Sequence, residues 1–187
     1  MGVDIYGLSP TLKSERPQLD WDSASEETKS AYFEYLSQWE EENPGDYFRS
    51  NWWGWRPIVL LCEIADEKFD LDIDFSYWGS NDGAGLKTQE ECTRLAESLE
   101  NIIGEFFDNT DTHILQLCTG MWVTQEGMFL TDEEKEELNE QYPFGTILDK
   151  LVVTSKGNVA HSAHSVQKEH VQYFISFLKE CGGFEIW

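Results

Sequence analysis

The stretch FDLDIDFSYWGSNDGAGLKTQEECTRLAESLENIIGEFF, residues 69–107, decides the predicted fold class. Apolar and polar side chains alternate strictly over Phe69–Tyr77, a pattern typical of a half-buried strand. Residues 79–83 are rich in Gly, Asn and Asp, which predicts a turn. Thr88 and Glu91 have the spacing of a capping box, and apolar residues then recur at helical spacing to about Phe107. A strand followed by a long amphipathic helix predicts a mixed α and β protein.

The rest of the chain adds helices and short strands around this stretch. Further strands are predicted at 3–7, 113–118, 121–124 and 184–187. Further helices are predicted at 23–42, 57–65, 131–142 and 165–180, with capping boxes at Ser23/Glu26 and Thr131/Glu134 and a first-turn proline at Pro57. Residues 146–155 fit a helix or a strand equally well. We therefore expect one helix-rich α+β domain over residues 1–187, with a small antiparallel sheet.

The charge of the chain is large and unevenly placed. The 187 residues carry a formal net charge of −23, with 36 acidic and 13 basic side chains. All of this excess lies in residues 1–150, because residues 151–187 hold three acidic and three basic side chains. Self-repulsion on this scale opposes compaction, so it is tolerated for solubility or kept for a positively charged partner.

The composition argues against several classes of protein. Direct binding to nucleic acid or to anionic lipid needs clusters of Lys and Arg, which this chain lacks. No apolar run is long enough to span a bilayer, and the N-terminal residues lack the features of a signal peptide. The four cysteines are scattered without a CxxC pair, so we expect four reduced, mostly buried thiols.

Acidic side chains fall into three groups that are candidates for partner binding. One lies on the predicted strand, one on the predicted helix 131–142, and one at the end of the predicted helix 23–42. In that order they are Asp70, Asp72 and Asp74; Asp132, Glu133, Glu134, Glu136, Glu137 and Glu140; and Glu40, Glu41 and Glu42. The first group does not fit a calcium loop, because Phe75 stands where that loop needs Gly. Ordinary solvated surface remains the alternative for all three groups.

The densest aromatic cluster, residues 47–57, suggests a pocket. Its aromatic rings can stack on a ligand ring while Arg56 grips a phosphate or carboxylate, or they can form core with Arg56 paired to Asp4 or Asp82. The possible pocket residues are Asp4, Tyr6, Trp52, Trp53, Trp55, Arg56, Asn81 and Asp82.

Motifs of catalysis and metal binding are missing from the sequence. It has no phosphate loop, Rossmann glycine pattern, GxSxG or HExxH. His161 and His164 have the spacing of a ligand pair, but no second pair has zinc-site spacing. We therefore predict no catalytic residue, no metal and no cofactor.

Four segments together resemble a group of small uncharacterised bacteriophage and bacterial proteins. That group opens with an MGxDxYG-like strand, continues with YFRxN and a tryptophan-rich WRP, and ends in GGF. The matching segments here are residues 1–8, 47–57, 81–83 and 182–186. The resemblance implies a shared scaffold and carries over no activity. Residues 11–46 and about 108–142 look like acidic insertions relative to it, and we place the particular function of this chain there.

Two hypotheses follow. The first is a non-enzymatic acidic inhibitor, phage-encoded and acting in the cytoplasm of a bacterial host, that occupies a basic nucleic-acid-binding surface of a nuclease or CRISPR effector. In this anti-CRISPR-like reading, carboxylates stand in for phosphates and aromatic side chains act as anchors. The alternative is a protein that binds or hydrolyses a nucleotide-like small molecule in the pocket around Arg56.

Overall fold

The computed structural model describes residues 2–107, 114–148 and 163–187, together with the backbone of 158–160. It forms a single α+β domain of helices and small antiparallel sheets, which confirms the predicted fold class. Within the described ranges, no helix is long and apolar enough to cross a membrane.

The first sheet brings the two ends of the chain together. Its strands are β1 (Gly2–Gly7), β2 (Tyr47–Asn51) and β8 (Phe184–Ile186), with β1 in the centre and both neighbours antiparallel to it. Inward-facing Val3, Ile5 and Phe48 are fully buried. The strands predicted at 3–7 and 184–187 are confirmed, whereas β2 was not predicted.

Three helices cover the buried side of this sheet. They are α2 (Trp52–Phe69), α3 (Gln89–Phe107) and α5 (Lys168–Glu180), and α3 packs against both α2 and α5. The predicted α3 is confirmed with its capping box, in which the Thr88 amide donates to Glu91 at 2.9 Å and the Glu91 amide donates to the Thr88 hydroxyl at 3.3 Å.

Helix α2 is longer at both ends than the predicted helix 57–65. It starts at Trp52 because Asn51 caps it by accepting a hydrogen bond from the Gly54 amide at 2.8 Å, so Pro57 lies inside the helix and not in its first turn. It ends at Phe69, where Asp70 adopts a left-handed conformation with φ 53°.

The strand predicted over Phe69–Tyr77 is therefore wrong. Side chains alternate in burial only over residues 71–75, where Leu71 is buried and Asp72 exposed, while Phe69 and Tyr77 at the two ends are exposed. However, side chains take the place of sheet partners, because the Ile73 amide donates to the Asp66 carboxylate at 3.0 Å. The alternating sequence pattern therefore indicated that part of this segment is buried, but it did not indicate whether the segment pairs with another strand.

A second, smaller layer carries the remaining strands. Strands β3 (Ile114–Leu117), β5 (Ile147–Leu148) and β7 (Ser165–Gln167) form a sheet in the order β5-β3-β7, and β4 (Trp122–Thr124) pairs with β6 (Asn158–Ala160). Helix α4 (Asp132–Gln141) begins at the predicted Thr131/Glu134 capping box. A separate buried cluster holds this layer together: Cys118, Trp122, Leu130, Leu138 and Leu148.

Two helix predictions in these regions need correction. Residues 165–167 form β7 before α5 begins at Lys168, so that helix is shorter than predicted. The ambiguous segment 146–155 contains β5, while its residues 149–155 lie outside the described ranges, as does His113 of the predicted strand 113–118.

Helix α1 (Glu26–Glu42) is the least buried helix. Its N-cap is Ser25, which accepts from the Thr28 amide at 3.2 Å, and not the predicted Ser23. Trp39 is the one buried residue of this helix, and the segment before the helix supplies contacts to it. The Trp39 indole, for example, donates to the Ser14 carbonyl at 3.2 Å.

Candidate functional site

A cleft of about 720 Å³ lies where β2 and β7 run into the first turns of α2 and α5. Mostly polar residues from five elements line it: Gly2, Arg49, Ser50, Asn51, Gly54, Ser165, Val166, Gln167 and His170. None of the described residues that line this cleft is acidic, although the chain contains 36 acidic residues.

Arg49 is the cation of the cleft, and cross-strand pairing positions it. In the antiparallel register Asp4 of β1 lies directly opposite Arg49, and the Arg49 Nε is 3.5 Å from the Asp4 carboxylate. Tyr47 also donates its hydroxyl to Asp4, and this contact together with burial raises the pKa of the Tyr47 phenol. Asp4 thus holds one edge of the guanidinium.

A serine and a histidine face each other on the inner side of the cleft. The His170 Nε2 lies 3.1 Å from the Ser50 hydroxyl, and the His170 ring packs against Phe48 with centroids 4.9 Å apart. Burial lowers the pKa of His170, which favours the neutral imidazole at pH 7. Ser50 is buried, and its hydroxyl also donates to the Asn51 carbonyl at 3.1 Å.

The pocket predicted around the tryptophan cluster is not assembled as expected. Trp55 is fully buried and donates its indole N–H to the Trp78 carbonyl at 2.7 Å, so it belongs to the core. Exposed Arg56 lies over the ring of Trp52 at 5.5 Å, while Trp53 meets His164 edge-on. Asp4 pairs with Arg49 and not with the predicted partner Arg56.

The other predicted pocket residues lie elsewhere on the surface. The Tyr6 ring contacts the Tyr47 ring on the outer face of the sheet, with centroids 5.2 Å apart and the ring planes tilted by 39°. Asn81 and Asp82 are exposed in the loop before α3.

The carboxylates of the predicted strand do not form a row. Asp70 and Asp72 have positive φ, and Asp74 accepts hydrogen bonds from the amide and hydroxyl of Ser76. These hydrogen bonds lower the pKa of Asp74. Asp72 also shares a pocket with Lys87 and Arg94, so this group is partly balanced by cations.

The acids of α4 form an exposed face, as a solvated helix would. Asp132, Glu133, Glu136, Glu137 and Glu140 are exposed, and Glu134 is engaged in the capping box. Lys135 contacts Asp132 at 3.4 Å and is the one basic residue of the helix. The same layer exposes two phenylalanines, Phe129 at 78% and Phe144 at 72%.

The acids at the end of α1 differ in their surroundings. Glu40 is half-buried, and burial raises its pKa although Arg16 lies 3.7 Å away. Glu41 and Glu42 are exposed.

Helix α1 also bears an aromatic cluster that the sequence analysis missed. The rings of Trp21, Tyr32 and Phe33 contact one another with centroid distances of 5.6 to 5.8 Å. Trp21 and Phe33 are 52% and 56% exposed. Asp20, Asp22 and Glu34 are their sequence neighbours and are also exposed.

Sequence reasoning also missed Ser50, Gly54 and His170 as cleft residues. The YFRSN segment was noticed for its aromatic residues, while the polar residues between them form the cleft. No local motif predicts that His170 lies in the cleft, since it is 120 residues away from Ser50 in the chain.

No group of metal-binding side chains occurs among the described residues, and His161 lies outside them. All four cysteines are buried free thiols, as predicted. No family model, curated protein or solved structure matches this chain.

Proposed function

We propose that this protein is an acidic binding protein that occupies a basic, nucleic-acid-binding surface of a partner protein. The observation that carries this proposal is the exposed ring cluster of Trp21, Tyr32 and Phe33 beside exposed carboxylates. We define the α1 surface as these three rings with Asp20, Asp22 and Glu34. The α4 surface consists of the exposed acids of that helix.

Single exposed aromatic side chains are common, but a contact cluster of them marks interaction surfaces. Helix α1 has 17 residues and buries only Trp39, so most of its length is available to a partner. Large aromatic residues are the usual anchors of protein interfaces. The α1 surface thus has an apolar contact area with acids around it.

The negative charge of these two surfaces indicates the class of protein that binds them. Residues 11–42 contain nine acidic and three basic side chains, and α4 contains six acidic side chains and one lysine. Such surfaces attract a positively charged protein and speed its association at low salt. A basic groove that binds nucleic acid has the complementary charge, and a nuclease or CRISPR effector of a bacterial host is the partner class that we propose.

The test is affinity capture from a nuclease-treated bacterial lysate, followed by elution with duplex DNA. We expect DNA to release nucleic-acid-binding proteins, because DNA and this protein compete for one surface. A variant carrying Trp21→Ala and Phe33→Ala should lose them. Equal capture by the variant, or proteins that DNA does not release, would contradict the proposal.

A matched charge control separates specific contact from net charge. Glu133→Lys, Glu136→Lys and Glu140→Lys reverse the α4 surface, whereas Glu67→Lys, Glu90→Lys and Glu97→Lys make the same change in net charge at exposed sites on α2 and α3. The α4 variant should lose the captured proteins and the control should keep them. Equal losses would mean that only overall charge matters.

A further inference from the structure

We propose that the cleft between the first turns of α2 and α5 binds a small molecule that carries a phosphate group. This site is separate from the α1 and α4 surfaces, so the inference goes beyond the proposed function. It rests on the convergence of one arginine, the N-terminus of α5 and a serine–histidine pair around a cleft whose described lining residues include no carboxylate.

Arg49 supplies the charge for the ligand. Its Nε lies 3.5 Å from the Asp4 carboxylate, which draws the Nε edge of the guanidinium toward β1, while 67% of the Arg49 side chain is exposed. Gly2 leaves room beside the group, since a Cβ at that position would lie 3.3 Å from Nη2. A planar guanidinium held along one edge presents its terminal N–H groups as a fork, the geometry that matches two phosphate oxygens.

The N-termini of two helices lie at the same cleft. Asn51 and Gln167 are the N-cap residues of the 18-residue α2 and the 13-residue α5, and Gly54 and His170 lie in the first turns of these helices. At α2 the Gly54 amide already donates to the Asn51 side chain, so α5 is the helix whose N-terminal amides serve the ligand. The Gln167 side chain makes no capping hydrogen bond, so it does not occupy the N-terminal amides of α5. Amide groups and helix dipoles at such ends favour a bound anion.

The Ser50–His170 pair completes the set of donors. The hydroxyl and the imidazole Nε2 are 3.1 Å apart. The Ser50 hydroxyl donates to the Asn51 carbonyl, and by rotating away from it the hydroxyl can donate to an oxygen of the ligand instead. Gly54 keeps this corner open, because a Cβ there would approach the Ser50 hydroxyl to 3.2 Å.

The size and charge of the cleft indicate the class of ligand. A volume of about 720 Å³ exceeds what a phosphate ion alone requires and lies in the range of pockets for small organic molecules. None of the described lining residues carries a carboxylate in a chain of net charge −23, so an anion in the cleft meets less repulsion than it does elsewhere on the surface, with Asp4 present only as the partner of Arg49. A phosphorylated metabolite or nucleotide and free inorganic phosphate share the chemistry that this cleft recognises.

The test is isothermal titration calorimetry of the full chain at low ionic strength with inorganic phosphate, adenosine monophosphate and adenosine. We expect the monophosphate to bind and adenosine not to bind. Binding of inorganic phosphate with equal affinity would identify the free ion as the ligand source, and weaker binding would identify an organic phosphate. If neither phosphate compound binds at millimolar concentration, the proposal is overturned.

Variants place the binding in this cleft. Arg49→Gln should weaken phosphate binding about 10- to 100-fold, because it removes a charge-assisted hydrogen bond. Arg56→Gln is the matched control, since Arg56 is an exposed cation on α2 that does not line the cleft. Equal weakening by the two variants would show that the ligand responds only to net charge and would overturn the proposal.

A second measurement covers the case in which Arg49→Gln impairs folding. Amide chemical shifts of the wild-type chain are recorded by NMR during titration with the better phosphate ligand. The largest changes should fall on residues 49–54 and 165–170. Changes centred on other residues would contradict the assignment.

Discussion

At the residue scale, close contacts between backbone segments require glycine at positions 7 and 45. A Cβ at Gly45 would overlap the carbonyl group of Glu180, and a Cβ at Gly7 would overlap the carbonyl oxygen of Gly45. The end of β1, the loop before β2 and the end of α5 therefore meet backbone to backbone. The Gly7 amide, for example, donates to the Asp46 carbonyl at 3.0 Å in the same place.

The first prediction concerns Gly45→Ala, which should lower the free energy of unfolding by about 3 kcal/mol because the added methyl group forces two backbone segments apart. Gly79→Ala is the control, since a Cβ there meets no atom within 4 Å. It should change the stability by no more than about 0.5 kcal/mol. Urea unfolding followed by tryptophan fluorescence measures both, and similar effects of the two variants would contradict the account.

The second prediction concerns how the stability of the fold depends on the protonation of His170 at acidic pH. Burial lowers the pKa of His170 in the folded chain below the ordinary value of about 6.5. At a pH between these two pKa values, His170 binds a proton in the unfolded chain but not in the folded chain. The stability that this group contributes is complete above about pH 6.5 and is lost as the pH falls toward the lowered pKa. Its neighbours in the fold are the Ser50 hydroxyl, the Phe48 ring and the Arg49 guanidinium in the cleft lining.

His170→Gln isolates this contribution from the many carboxylates. We expect the difference in unfolding free energy between the wild type and the variant to shrink as the pH is lowered from about 7.5 to about 5.5. Burial raises the pKa of Glu40 and Glu63, but their contributions cancel because they are present in both proteins. A constant difference over this range would contradict a lowered pKa at His170.

At the element scale, α1 depends on one side chain for its place in the fold. Trp39 is its sole buried residue, and the Asn43 side chain after it donates to the Trp39 carbonyl at 2.7 Å. A helix of this length is marginally stable when alone in water. Helix α1 is therefore held mainly by the Trp39 contacts.

The third prediction is that Trp39→Ala frees α1 and leaves the main core folded. Amide hydrogen exchange should become fast throughout α1, while α3 and α5 remain protected. Trp55→Ala is the comparison, since Trp55 is fully buried in the main core and its loss should lower protection in α3 and α5. Loss of protection across the whole chain in Trp39→Ala would show that α1 unfolds only together with the core.

Comparison of two neighbouring segments shows what the sequence could predict at this scale. Residues 88–107 form the expected helix, because its capping box and apolar spacing are local properties of the chain. Residues 69–77 have an equally regular pattern but form no strand, because pairing needs a neighbouring strand and the Asp66 carboxylate satisfies the Ile73 amide instead. Local signals therefore predicted helices better than sheet pairing.

The candidate cleft was beyond local signals for the same reason. Arg49 and Ser50 come from β2, and His170 comes from α5, so their proximity arises from the packing of α5 against the first sheet. The sequence drew notice to the YFRSN segment through its aromatic residues. It drew attention to Arg56, which points away to Trp52, and not to Arg49.

At the scale of the whole molecule, the net charge of −23 acts on the folded state as a general repulsion. The ion pairs of the described residues are mostly exposed, for example Lys179 with Glu100 at 2.6 Å and Lys87 with Glu185 at 3.3 Å. Exposed pairs contribute little each, typically about 0 to 1 kcal/mol. Repulsion among the excess acids should therefore outweigh these attractions.

The fourth prediction is that added sodium chloride stabilises the protein, because salt shortens the Debye length to about 3 Å at 1 M and screens the repulsion. The urea midpoint should rise from low salt to about 0.5 M sodium chloride, and potassium chloride should act equally.

The control variant with Glu67→Lys, Glu90→Lys and Glu97→Lys lowers the net charge from −23 to −17. It should be more stable than the wild type at low salt and respond less to salt, since fewer unpaired charges remain to be screened. A urea midpoint that falls with added salt would mean that attraction within ion pairs outweighs repulsion among the excess acids. The acidic side chains would then stabilise the fold, which would weaken the argument that they serve to bind a basic partner.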